Sequence, residues 1–147
     1  MVRRAAVRPD GERRVSALAI DLDGVLGDTK PLWEAFLTDV SRRAHVDPAR
    51  LEDELPNWRA LLERFAEDHA PVYLRPSAPA TAALRRLQEE GVRVGVFTDA
   101  PEELARVALA HLGGARRIEA LEAGPGALER LLALMPDARV VRTLAEL

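Results

Sequence analysis

The pattern of apolar and polar positions predicts strands and helices that alternate over most of the chain. Compact apolar runs predict strands at residues 15–22, 92–97, 118–121 and 138–141. Spacing near 3.6 residues predicts helices at residues 31–45, 57–69, 78–90, 102–112 and 125–135. Because helices separate consecutive strands, we expect a parallel sheet with helices on both faces, an α/β fold.

Residues with known positional preferences mark several helix ends. Asp47 and Pro48 are typical of a helix start, where a carboxylate accepts the first free amides. Gly91 suits a left-handed position that ends the helix before it. Asp99 and Glu102 resemble a capping box at the start of the helix that follows the second strand.

The pattern also divides the chain into segments. Residues 1–14 contain five arginines, which predicts a flexible basic arm or, alternatively, a docking segment for an acidic partner. Residues 30–74 show only helical spacing and predict a small helical segment between elements of another type. Aromatic residues in this segment either pack its helices together or line a substrate pocket: Trp33, Phe36, Trp58 and Phe65.

Composition excludes several classes of protein. The 147 residues suit about one domain. A net charge of −3 gives no electrostatic case for binding nucleic acid or an anionic membrane. The absence of cysteine excludes disulfides and thiolate metal sites. No apolar run approaches the roughly 20 residues of a membrane span. We therefore expect a cytoplasmic protein without a membrane or nucleic-acid partner.

A cluster of acids follows the first apolar run, VSALAIDLDGVLGD. Asp21 and Asp23 come at the end of the first predicted strand, and Thr98 ends the second. In open parallel sheets, ligands bind at the carboxyl ends of the strands. Gly24 and Gly27 allow the chain to turn there without a side chain in the way.

Two neighbouring carboxylates suit phosphoryl transfer to an aspartate. One attacks as the nucleophile, the second gives and then takes a proton, and Mg²⁺ offsets the negative charge. A hydroxyl such as that of Thr98 then holds phosphate oxygens. The alternative is structural, in which Asp21 and Asp23 only end a strand and Thr98 only caps a helix.

Two motifs in this order resemble those of the haloacid dehalogenase-like superfamily of aspartate-nucleophile phosphatases: DLDGVLGD at 21–28 and VGVFTD at 94–99. The resemblance implies a Rossmann-like α/β core at residues 15–29 and 75–147 with strand order 3-2-1-4, and a small helical cap at residues 30–74 between the two motifs. It implies Asp21 as nucleophile and metal ligand, and Asp23 as general acid and base whose backbone carbonyl also binds the metal. It further implies Thr98 and Asp99 as phosphate-binding residues, Asp28 as a supporting residue at the cap junction, and Mg²⁺ as the cofactor.

The later motifs depart from the family pattern. In EAGPG, residues 122–126, Glu122 stands where the family has a lysine, and Arg116 or Arg117 could substitute for it. In VVRTLAEL, residues 140–147, Arg142 stands where a metal-binding aspartate belongs, and Glu146 occupies the second acidic position. We hypothesise that Arg142 pairs with Asp21 or Asp23 and stands in for the metal charge, the alternative being that it lies in solvent.

Three functions follow from these residues. The first is a phosphohydrolase of a small phosphorylated metabolite, with weak or absent Mg²⁺ binding and reduced activity. The second is a non-catalytic protein that binds phosphate or a protein partner. The third is a subunit of a homo-oligomer, whose missing motif another chain completes.

Overall fold

The computed structural model describes residues 15–147, so the predicted basic arm at 1–14 lies outside the described residues. Four strands form one parallel sheet in the order β3-β2-β1-β4: β1 (Ala17–Asp21), β2 (Arg93–Thr98), β3 (Ala120–Ala123) and β4 (Arg139–Val141). The helices are α1 (Lys30–Ala44), α2 (Leu51–Glu54), α3 (Trp58–Tyr73), α4 (Ala78–Glu89), α5 (Glu102–His111) and α6 (Ala127–Leu134). The predicted α/β class and strand order are confirmed.

The third strand lies two residues later than predicted. Its residues pair with the last four residues of β2, from Gly95 opposite Ala120 to Thr98 opposite Ala123. All four residues of β3 are only partly buried, so hydrophobicity marks its position poorly. The prediction began at Ile118 because it is the most apolar residue nearby.

The two faces of β1 carry side chains of different size. Leu18 and Ile20 belong to the large apolar cluster shared with α1, α3, α4 and α5. Ala17 and Ala19 face the smaller cluster formed with α6. Gly95 in β2 serves the same close packing, because a Cβ there would lie 2.8 Å from side-chain atoms of α6. Helices therefore cover both faces of the sheet.

The helices between β1 and β2 pack through aromatic side chains. The rings of Trp33 and Trp58 meet edge to face at 6.1 Å, and those of Phe36 and Phe65 at 5.6 Å. Their buried residues join the same apolar cluster as β1 and α5. These contacts agree with the packing interpretation of the aromatics, while the division into cap and core stays a prediction.

Ion pairs also connect α3 to α5. Arg59 contacts Glu103 and Arg106 contacts Glu63, each pair at 2.9 Å. All four side chains remain partly exposed to solvent, so each pair adds little to stability. Their contribution is to fix how α3 lies on α5.

The predicted helix ends agree only in part with the structure. Asp47 does cap a short helical turn, since its Oδ1 accepts the amide of Ala49 at 3.0 Å. The capping box predicted from Asp99 and Glu102 is wrong, because α5 begins after Pro101 with no side-chain cap. The reason is that Pro101 occupies the N-cap position, so Asp99 lies two residues before the position from which a side chain caps the helix. No helix within residues 15–147 combines the length and hydropathy needed to cross a bilayer.

Candidate functional site

A tight turn follows β1 and reverses the chain within a few residues. The amide of Gly27 donates to the carbonyl of Leu22 at 3.1 Å, and the amide of Gly24 donates to the carbonyl of Gly27 at 3.0 Å. Gly24 has φ +114°, and a Cβ at this position would lie 2.6 Å from the carbonyl oxygen of Arg142. The turn therefore requires glycine, both for its backbone conformation and for the close approach of the residue after β4.

The sheet register brings Asp21 and Arg142 together. Ile20 of β1 pairs with Val141 of β4, so the residues that follow them, Asp21 and Arg142, lie at the same edge of the sheet. Nη1 of Arg142 lies 3.5 Å from Oδ2 of Asp21, and the guanidinium also lies over the ring of Phe97, 5.4 Å from its centre. The Arg142 side chain is 58% exposed. This is a long, partly solvated ion pair.

Burial is the main influence on the ionisation of Asp21. It raises the pKa of the Asp21 carboxyl, and the negative charge of Asp23 raises it further. A hydrogen bond from the amide of Asp23, at 3.1 Å from Oδ1, and the charge of Arg142 act in the opposite direction. The net effect is a raised pKa, so the ionised form of Asp21 is disfavoured in the folded protein.

The carboxylate of Asp23 accepts hydrogen bonds on both oxygens. Oδ1 accepts the amide of Thr29 at 2.7 Å and its hydroxyl at 2.9 Å. Oδ2 accepts the hydroxyl of Thr98 at 2.6 Å. Thr98 is 1% exposed, and its oxygen accepts the amide of Ala100 at 3.2 Å. The Thr98 hydroxyl, predicted to bind phosphate, donates to Asp23 in this structure.

The residue at the family's lysine position makes a local ion pair. Oε1 of Glu122 lies 2.9 Å from Nε of Arg130. Nη1 of Arg130 also donates to the carbonyl of Pro125 at 2.6 Å, so this guanidinium holds the loop before α6. Of the two arginines considered as substitutes, Arg117 donates to Gln88 on another part of the surface.

Glu146, which occupies the second acidic position of the last motif, stabilises the helical turn in which it lies. Its Oε1 accepts the amides of Arg142 and Thr143, each at 2.9 Å, and the Thr143 hydroxyl at 3.1 Å. These bonds lower the pKa of the Glu146 carboxyl. The carboxylate therefore caps this turn.

Two clefts meet at the carboxylates. One, of about 260 Å³, is lined by Asp21, Phe97, Arg142 and the start of α6. The other, of about 440 Å³, is lined by Lys30, Trp33 and the residues around them. Asp23 and Asp99 line both clefts. The predicted site residues at the ends of β1, β2 and β4 thus come together, whereas Glu122 pairs with Arg130 outside the residues that line either cleft.

Comparison with solved structures identifies the fold. CbbY of Rhodobacter sphaeroides, solved in complex with phosphate, matches with a TM-score of 0.67 at 16% identity over 88% of this chain and 77% of its own. A haloacid dehalogenase-like family hydrolase of Streptococcus pneumoniae matches with a TM-score of 0.60 at 10% identity over 87% and 74%. A Thermotoga maritima protein assigned as a beta-phosphoglucomutase matches with a TM-score of 0.58 at 20% identity over 87% and 75%. The chain has the haloacid dehalogenase-like fold.

The likeness is one of structure. No family sequence model matches the chain, and the comparison with curated proteins gives no match. Open parallel sheets bind ligands at the carboxyl ends of their strands, so the function of this chain depends on the residues at that edge.

The residues at this edge do not fit a Mg²⁺ ion. Mg²⁺ is usually held by one or two carboxylates together with waters, so the Asp21 carboxylate is the side chain that would have to bind it here. Within residues 15–147 no group of three or more acidic, histidine or cysteine side chains is placed to hold a metal, and a cation already lies 3.5 Å from Asp21. The guanidinium of Arg142 lies where it offsets the charge of Asp21. We therefore derive no chemical step through a metal.

Two residues of this network escaped the sequence analysis. Thr29 lies six residues after Asp23 and Arg130 eight residues after Glu122, so neither shares a strand or helix with its partner. Only the turn after β1 and the loop before α6 bring these pairs together. A threonine immediately after the DLDGVLGD motif was the one signal available for Thr29.

Proposed function

We propose that the protein is a weak phosphohydrolase of small phosphate monoesters that works through Asp21. The observation that carries the proposal is the convergence of Asp21, Asp23 and Arg142 at the sheet edge, with Asp21 and Arg142 3.5 Å apart. The fold supports the reaction class, because the CbbY structure, which matches this chain at 16% sequence identity, was solved in complex with phosphate. The substrate class and the residue roles are our inference.

The proposed reaction has two steps that use the chain's own residues. A carboxylate oxygen of Asp21 attacks phosphorus, and Asp23 gives a proton to the departing alkoxide. Water then hydrolyses the aspartyl phosphate, with Asp23 as the base, and phosphate leaves. Arg142 offsets part of the charge on the phosphoryl group.

Weak activity follows from the charge at this edge. Phosphoryl transfer depends almost entirely on positioning and on positive charge around the phosphoryl oxygens. Here three aspartates, Glu129 and one partly exposed guanidinium line the cleft that contains Asp21. Asp23 must also exchange its bonds to Thr29 and Thr98 before it transfers a proton. Both features raise the barrier.

Hydrolysis of 4-nitrophenyl phosphate tests this function. The expected result is slow turnover that is the same in Mg²⁺ and in EDTA, and that Asp21→Asn abolishes. Asp53→Asn, an exposed aspartate of α2, is the matched control and should retain activity. Trapping with hydroxylamine should convert Asp21 of the wild type to a hydroxamate that mass spectrometry locates. Turnover that requires Mg²⁺ would contradict our interpretation of Arg142.

The second candidate is a non-catalytic protein that binds phosphate or a protein partner. The observation that favours it is the set of three hydrogen bonds that hold the Asp23 carboxylate. In that case neither turnover nor the hydroxamate appears, and Asp21→Asn leaves phosphate binding, measured by calorimetry, unchanged or stronger because a negative charge has gone. If another chain completes the site, the specific activity, which is the turnover per mole of protein, should rise with protein concentration.

A further inference from the structure

Lysine occurs once in this chain, at residue 30, against 20 arginines. Lys30 is the first residue of α1 and lines the 440 Å³ cleft together with Asp23, Trp33 and Asp99. Its backbone amide donates to Oδ1 of Asp28 at 3.0 Å, which fixes the start of the side chain. The single lysine therefore lines the same cleft as the proposed proton donor.

The ammonium of Lys30 is available to a ligand. Among the ion pairs of residues 15–147, none within 4 Å involves Lys30, and the residue is exposed. An ammonium on a flexible four-carbon stem is a compact charge that can follow a ligand over several ångströms.

The cleft beside Lys30 also has a fixed apolar wall. The Trp33 ring is partly buried and lies 5.8 Å from Phe36 and 6.1 Å from Trp58, which hold its orientation. Ala100 and Pro101 line the same cleft. A flat or apolar skeleton can pack against this wall while a charged group reaches Lys30.

The arrangement of the two clefts decides which part of a substrate Lys30 meets. In an in-line displacement, the leaving group departs on the side of phosphorus opposite the nucleophile. Asp21 and Arg142 line one cleft, Lys30 and Trp33 line the other, and Asp23 lines both. Phosphorus attacked by Asp21 thus has its bridging oxygen near Asp23 and its leaving alcohol in the cleft of Lys30.

We propose that Lys30 is a specificity-determining residue that binds a second anionic group on the leaving alcohol of the substrate. The proposal rests on the proposed function and names its substrate class: phosphate monoesters whose alcohol carries a carboxylate or another anion, with a carbon skeleton that packs on Trp33. Asp28 and Asp99 in the same cleft would instead favour a cationic alcohol, so the test includes one.

Three aryl phosphates that differ only in the para substituent test the proposal: phenyl phosphate, 4-carboxyphenyl phosphate and 4-(aminomethyl)phenyl phosphate. The carboxylate ester should have the lowest KM. Lys30→Gln should raise that KM about two- to fivefold, the range expected of one exposed ion pair. The same change should leave kcat unchanged, because the contact is equal in the ground and transition states. It should leave the KM of phenyl phosphate unchanged, because that ester has no second anionic group. Lys30→Arg should restore most of the preference.

Arg42→Gln provides the charge-matched control. It removes one positive charge from the same helix about 18 Å away, twelve residues at about 1.5 Å each, and should leave all three KM values unchanged. An equal rise in KM for all three esters in Lys30→Gln, or a preference for the aminomethyl ester, would overturn the proposal.

A second measurement does not depend on turnover. Reductive methylation with ¹³C-formaldehyde labels only Lys30 and the terminal amine, and Lys30→Arg assigns the two NMR signals. The Lys30 signal should shift with 4-carboxyphenyl phosphate and not with phenyl phosphate. A shift without hydrolysis would reject the phosphohydrolase and retain the binding site. Hydrolysis with neither a shift nor a KM effect would reject the role of Lys30 and retain the phosphohydrolase.

Discussion

The sheet edge has a first half, at the ends of β1 and β2, and a second half, at the ends of β3 and β4, and the charged groups of the two halves make different contacts. Asp21 and Asp23 are partly buried, and Asp23 bonds to Thr29 and Thr98 across the turn and the neighbouring strand. These contacts join residues far apart in sequence, up to 75 positions for Asp23 and Thr98. They make one network that depends on the fold.

In the second half of the edge, the glutamates bond to residues that are close to them in sequence. Glu122 pairs with Arg130 eight residues away, and Glu146 bonds within its own turn. Arg142 alone reaches across to the first half, through its contact with Asp21. The difference teaches that the fold can keep the geometry of a carboxylate pair while the residues opposite it take on structural roles.

The largest expected effect comes from the position where the two halves touch. Gly24→Ala places a Cβ 2.6 Å from the carbonyl oxygen of Arg142 at φ +114°, so it should destabilise the fold by about 2 to 4 kcal/mol. Gly91→Ala is the control, because Gly91 also has positive φ, +77°, but nothing within 4 Å of a Cβ. Its cost should be about 1 kcal/mol. Urea denaturation measures both, and equal costs would mean that the close approach to Arg142 is unimportant.

The hydrogen bonds of Asp23 should give the next largest effect. Thr98→Val keeps the shape of a side chain that is 1% exposed but leaves Oδ2 of Asp23 without its donor, which should cost about 1 to 3 kcal/mol. Thr38→Val, which removes an exposed hydroxyl bonded to the carbonyl of Glu34, should change stability by less than about 0.5 kcal/mol. If both variants lose equally little stability, the network around Asp23 is no stronger than a surface contact.

For the first half of the edge, the α/β class and the placing of Asp21 and Thr98 at strand ends followed from apolar runs. The strand order followed from the resemblance that the two motifs carry. The position of β3 did not follow from an apolar run, because its residues are only partly buried. The pairing of Glu122 with Arg130 depends on how the loop before α6 folds, and such loop contacts leave no periodic signal. The sequence hypothesis for Arg142 left Asp21 and Asp23 open as its partner, and the 3.5 Å contact with Asp21 now gives the hypothesis a geometry to test.

The ionisation of Asp21 provides a pH-dependent test. Burial and the charge of Asp23 raise its pKa, so the folded state favours the protonated carboxyl. This contribution is fully present below the unfolded pKa, near 3.8, and is lost as pH rises through the higher folded pKa. Asp21→Asn should therefore be more stable than the wild type at neutral pH, and the difference should vanish at low pH. Denaturation at a series of pH values measures it.

Arg142→Gln is the complementary change. Because the charge of Arg142 lowers the pKa of Asp21, its removal should raise that pKa and shift the acid limb of any hydrolysis to higher pH. In the wild-type background Arg142→Gln should also lower stability at neutral pH, because the charge of Asp21 loses its partner. In the Asp21→Asn background the same substitution should leave stability unchanged. A loss of stability that is the same with and without the Asp21 carboxylate would show that the two side chains do not interact.

The smallest expected effect lies in the local half, at Glu146. Hydrogen bonds from the amides of Arg142 and Thr143 lower the pKa of this exposed carboxyl, so its contribution is present above the ordinary value, 4.5, and is lost as pH falls through the folded pKa. Glu146→Gln should speed hydrogen exchange of those two amides at neutral pH and change global stability little. Glu89→Gln, an exposed glutamate of α4, should leave their exchange unchanged. A fall in global stability as large as that of Thr98→Val would contradict the contrast, because Glu146 would then support the whole site and not its own turn.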